Sequence, residues 1–160
     1  MPDHEGNEPL WKRARGGLFV GFGLATRAMT LGVKAFVTDG ERLLLVRHTY
    51  VPGWHLPGGG VERGETIHDA VAKELREETA IEPKAAPELF GFYKNERTSR
   101  FDHVALFTVR RFREVGAFQG NREIAESRFW PLDALPDGTT EATLARVREV
   151  LEGEEAAAYW

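Results

Sequence analysis

The sequence contains no cysteine. That excludes disulfides, thiolate metal ligands and a cysteine nucleophile, and it fits a reducing compartment. It also lacks any apolar run of the ~18 residues that a membrane span requires. The nearest approach, LFVGFGLATRAMTLG at 18–32, follows KRAR and so imitates a leader peptide. Arg27 interrupts it and no small-x-small cleavage site follows, so a cytoplasmic protein without a membrane span is expected. Nor is there an excess of positive charge. Lys and Arg number 21 against 25 Asp and Glu, a net charge of −4. Nucleic-acid polymers are therefore not expected partners. An acidic protein that takes a phosphorylated small molecule needs local positive charge or a bound cation. Internal repeats and low-complexity segments are missing too.

What is there is one domain's worth of chain, 160 residues, 42% hydrophobic. Residues 1–30 read as an arm. Its apolar stripe, Trp11, Ala14, Leu18, Phe22, Ala25 and Met29, has helical spacing, although Gly16, Gly17, Gly21 and Gly23 oppose a helix. Such an arm packs on its own domain or on a second copy, which makes a homodimer an expectation. LGVKAFVT (31–38) and RLLLVRH (42–48) read as strands joined by an Asp39-Gly40 hairpin turn. Thr66 to Thr79 reads as a helix with Thr66 and Asp69 as its capping pair. Strands follow at 88–95, 101–112 and 123–130, then a helix from Thr140 to Glu152 with Leu144, Val147 and Leu151 inward, and a tail over 153–160. This order implies an α/β (α+β) fold, a sheet with helices on its faces.

Two local features carry chemistry. Glu74, Glu77 and Glu78 are spaced i, i+3, i+4, so they share one helix flank and repel one another. A hard divalent cation such as Mg²⁺ relieves that repulsion, taking one or two carboxylates together with substrate phosphates and water. Upstream, Leu56-Pro57-Gly58-Gly59-Gly60 allows backbone to approach a ligand closely. Each feature alone is weak, since acidic helices are mostly solvated faces and glycine runs mostly turns.

Their mutual spacing is specific. Gly59 is followed after five residues by Glu65, and after seven more by Lys73-Glu74-Leu75-Arg76-Glu77-Glu78-Thr79-Ala80-Ile81. This resembles the signature of the Nudix hydrolases, G-x5-E-x7-R-E-U-x-E-E-x-G-U with U aliphatic. Lys73 stands where that family has arginine, and Ala80 where it has glycine. The resemblance implies an α/β/α sandwich over 31–152 with a mixed sheet. It implies hydrolysis of a nucleoside diphosphate linked to another moiety, with Mg²⁺ or Mn²⁺. On matching positions Glu77 and Glu78 are metal ligands, Glu74 a ligand or the general base, and the Gly59 carbonyl a further ligand. Glu65 orients Lys73 or the helix start. Members that prefer ADP-ribose tend to carry a proline about sixteen residues past the box, where this chain has Glu96.

Glu123 and Glu126, in a loop outside the box, are the other candidates for the base, with Glu123 ranked first. Upstream of the glycines stand Arg47, His48, Tyr50, Trp54 and His55. Arg47 can pair with a phosphate and Trp54 can stack on a base, so these two join Gly58 and Gly59 as expected substrate contacts. Tyr93 and the Asp102-His103 pair are weaker candidates. The competing expectation is a nucleotide-binding module of this type with little or no turnover, which the substitutions at 73 and 80 favour. On the hydrolase reading Glu78→Gln is expected to abolish turnover while leaving the fold nearly unchanged.

Overall fold

The computed structural model describes residues 28–160, so the stripe expected from Trp11 to Met29 lies outside the described residues save for Met29, which is exposed. Strand β1 (Thr30–Val37) is buried on both faces in its second half and pairs in parallel with β6 (Asp102–Val109), which pairs antiparallel with β5 (Glu88–Lys94). A second sheet has β2 (Arg42–His48) between β3 (Trp54–His55) and β8 (Ile124–Pro131), all antiparallel. Strands β4 (Ile81–Pro83) and β7 (Phe112–Glu114) form a short ribbon. The stretch expected as one strand over 101–112 is thus split between β6 and β7.

The hairpin expected at Asp39-Gly40 needs correction. The turn forms, but β1 and β2 pair only at Thr38 and Leu43 and then part into different sheets. The reason is competition for backbone donors. The glycine loop runs along the free edge of β1: Val33 N–H donates to Gly59 O at 2.9 Å, Ala35 N–H to Pro57 O at 2.9 Å, and Val61 N–H to Leu31 O at 2.8 Å. Those bonds occupy the groups that β2 would have used. They also fix the glycines against the sheet, which positions the site.

Helix α1 (Ile67–Thr79) starts at a complete capping box between Thr66 and Asp69. Its apolar face, Ala70, Val71 and Leu75, covers Val33, Ala35, Val37, Ala105 and Phe107. At its end Ala80 is left-handed, with φ 56° and ψ 30°. A Cβ there is strained, so Ala80→Gly is expected to stabilise the fold by ~1 kcal/mol, read as a higher urea midpoint at unchanged slope.

Helix α2 (Glu141–Val147) widens into a π-helical turn over Arg148–Glu152 and covers the opposite side, where Val147 and Val150 meet the cluster of Phe36, Leu43, Leu45, Tyr93 and Leu106. The wide turn shifts the phase of the helix. Leu151, expected inward, is exposed, while Arg146 and Glu149 are buried as an ion pair at 2.6 Å. Tyr93 O–H donates to Glu149 at 2.8 Å, and the tail docks on β5 through Lys94 N–H to Ala158 O and Trp160 N–H to Lys94 O. The result is a mixed α+β fold with a helix on either side of the sheets.

Candidate active site

The acidic flank of α1 and the loop at 121–123 enclose a cleft of about 440 Å³ lined by Glu74, Glu77, Glu78, Asn121, Arg122 and Glu123. The reason for glycine at 58 and 59 is visible here. A Cβ on Gly59 would stand 2.7 Å from the Glu74 carboxylate, so that carboxylate lies directly on the loop backbone. Gly58 has φ +136°, and a Cβ there would collide with the Val33 carbonyl. Its amide donates to Glu78 Oε2 at 2.7 Å.

Burial shapes the charges. Glu78 is 6% exposed, and burial pushes its carboxyl up to about 7, with Lys34 pulling the other way. Glu74 is raised as well, by burial first, against the pull of Lys73 and with added repulsion from Glu77. Lys73 Nζ lies 3.1 Å from Glu65, 3.4 Å from Glu62 and 3.8 Å from Glu74. The lysine therefore makes carboxylate contacts at the position where an arginine was the expected residue.

Among the described residues, no three acidic or histidine side chains converge into a closed metal cage. The donor set still suits a hard cation. It is all oxygen, it carries unneutralised charge, and Mg²⁺ takes only one or two carboxylates where phosphates and waters complete the shell. The Gly59 carbonyl accepts from Val33 N–H and keeps a second lone pair.

Comparison with known proteins decides the family. The NUDIX domain model matches residues 29–151. The chain belongs to the NUDIX family. An ADP-ribose pyrophosphatase of Methanocaldococcus jannaschii is 29% identical over 109 residues, covering 66% of this chain and 64% of that protein. A putative 8-oxo-dGTP diphosphatase of Bacillus subtilis is 31% identical over 73 residues, 46% of this chain and 48% of that protein. The chain thus spans less than two thirds of the length of either relative. A MutT NUDIX hydrolase of Burkholderia pseudomallei has the same fold, with a TM-score of 0.62 at 24% identity over 76% of this chain and 97% of that one.

Within the NUDIX fold the expected residues divide. Glu74, Glu77, Glu78 and Glu123 meet at the cleft, and Gly58 and Gly59 lie against the carboxylates of Glu78 and Glu74. Arg47 and Trp54 do not. They are register partners on β2 and β3, and Arg47 pairs with Glu126 at 3.2 Å. Trp54 is 8% exposed and packs edge-on to Trp130 in the core, which leaves no open face for a base. The cause is the two-residue alternation of strands. His55, one residue on from Trp54, faces the other way and meets His48 at 5.2 Å between ring centroids. His48 in turn lies tilted against Tyr50, ring centroids 5.3 Å apart, and the Tyr50 hydroxyl is raised by burial and by the charges of Glu123, Glu78 and Glu74. Burial, then Lys34, holds the His48 imidazole down at about 4. Tyr93, Asp102 and His103 lie elsewhere: Tyr93 in the core, Asp102 bonded to Thr30 and Asn95, His103 stacked on Phe92.

Two residues of the site escaped the sequence reading. Asn121 donates to Glu77 O at 3.2 Å and accepts from the amides of Glu123 and Ile124, which shapes the loop that presents Glu123. Lys34 sits on β1 with its ammonium on Gly58 O at 2.7 Å. A lysine in a strand buried on both faces is the signal that could have found it.

Proposed function

We propose that the chain is a divalent-metal-dependent pyrophosphohydrolase that cleaves a phosphoanhydride bond in a nucleoside diphosphate linked to another moiety. One observation carries the reading: the Glu78 carboxylate accepts from the Gly58 amide and the Glu74 carboxylate lies against Gly59, with Glu77 and Glu123 on the same cleft. Glu74, Glu77, Glu78 and the Gly59 carbonyl would hold Mg²⁺ or Mn²⁺. Such an ion neutralises charge on the transferring phosphoryl group and acidifies water. Glu123, exposed at the mouth, is the general base for the attacking water, with Glu74 as the other candidate. The loop of Gly58 and Gly59 lets the diphosphate approach. The catalytic unit is residues 31–152, with 1–30 as an arm and 153–160 as a docked tail. Its partner is a small nucleotide, and its setting the cytoplasm. ADP-ribose and an oxidised deoxynucleoside triphosphate, the substrates in the two relatives' names, are the first to try.

Product release from nucleoside triphosphates, sugar nucleotides, ADP-ribose and dinucleoside polyphosphates, with Mg²⁺ or Mn²⁺ against an EDTA control, tests this. Metal-dependent cleavage of at least one is expected. Silence of folded protein across the panel would instead favour a nucleotide-binding module.

A further inference from the structure

Lys34 poses a problem for a site that collects cations. Its ammonium is felt by the carboxylates of Glu74 and Glu78 and by the imidazoles of His48 and His55. A positive charge there works against a metal ion. Yet Lys34 does not neutralise the acids by contact, since among the described residues it makes no ion pair within 4.0 Å. The backbone holds it off. A chain of bonds runs from Glu78 Oε2 through the Gly58 amide at 2.7 Å, and from the Gly58 carbonyl to Lys34 Nζ at 2.7 Å. One N–H is committed to that carbonyl, and among the described residues the other two have no partner. Of the other cations, Arg122 is exposed at the cleft and Lys73 is engaged with Glu65 and Glu62. A fixed, half-buried ammonium with unused donors beside the carboxylates suits an anion that arrives after the metal.

We propose that Lys34 binds a phosphate of the diphosphate directly, as a substrate-binding residue fixed by the Gly58 carbonyl. The inference rests on the proposed function, because it takes the ligand to be a metal-bound nucleoside diphosphate. Its signature is opposite effects on the two ligands. Removing the charge leaves metal binding equal or tighter and weakens the phosphate. A role confined to holding the loop would weaken both together.

The test uses the full chain with Mn²⁺ alone, followed by electron paramagnetic resonance, and then ADP at saturating Mn²⁺, followed by calorimetry. Lys34→Gln keeps a donor for Gly58 O without the charge, and Lys34→Met serves the same comparison should the Gln variant fail to fold. Expected are Mn²⁺ affinity no weaker than wild type, ADP affinity at least fivefold weaker, and recovery to within threefold in Lys34→Arg. A loss of ADP affinity below fivefold, or Mn²⁺ affinity falling in step with it, overturns the proposal. Wild-type protein that binds no Mn²⁺ would overturn the proposed function with it. Wild-type protein that binds both ligands indifferently to position 34 would overturn this inference alone.

Discussion

Glu78→Gln is expected to abolish turnover and, in the metal-free protein, to raise stability rather than leave it unchanged. The loss of activity, a thousandfold or more, follows from its place as a proposed ligand. The gain follows from burial. The Glu78 carboxyl stands near 7 in the fold, well above the ordinary carboxylate range. The unfolded chain therefore gives up this proton more readily than the folded one. Relative to acid conditions the folded state loses stability as pH rises from about 4.5 through 7, and the loss is complete above that. Glutamine has no proton to lose and can still accept from Gly58. Urea unfolding in EDTA should show wild type and variant alike near pH 4, with the variant ahead by about 3 kcal/mol at pH 8. Equal midpoints at pH 8 would mean that the folded protein solvates this carboxylate well.

Gly58→Ala is expected to have the largest effect on the fold. At φ +136° an L side chain is strained whatever surrounds it, and here the new Cβ meets the Val33 carbonyl. Relief requires the loop to leave β1, which breaks the edge bonds from Val33 and Ala35. A cost of about 3 kcal/mol or more is expected, with turnover falling at least a hundredfold because Glu78 and Lys34 both lose their anchor. Gly40→Ala is the internal control. Gly40 also has positive φ, +100°, but a Cβ there meets nothing within 4 Å. Its cost should be about 1 kcal/mol. Similar losses at the two positions, measured by urea unfolding, would show that φ alone and not the β1 contact sets the price at 58.

The acidic helix and the glycine loop were legible because their chemistry is local. Helix periodicity puts Glu74, Glu77 and Glu78 together, and a short loop delivers Gly58 and Gly59 nearby. The capping pair at Thr66 and Asp69 was readable for the same reason. What depends on sheet pairing was not. Asp39-Gly40 marks a turn, but nothing local says that residues 57–61 will take the edge of β1 and send β2 to another sheet. Arg47 and Trp54 are close to the glycines in sequence, yet strand alternation and the packing of Trp54 on Trp130 turn them away. Lys34 lies 24 residues from Gly58 and reaches it only through that unexpected pairing. Helix spacing placed Glu78 on the acidic flank and said nothing of its burial. The loop that its carboxylate anchors also buries it.

The central claim is that water attacks phosphorus in a metal-dependent step. Hydrolysis in H₂¹⁸O, with the products weighed by mass spectrometry, tests it most directly. One ¹⁸O should enter one phosphate-bearing product per turnover, with Mg²⁺ or Mn²⁺ present, and none with EDTA or in Glu78→Gln. Label in a product without phosphorus, or incorporation that persists without metal, would contradict the account.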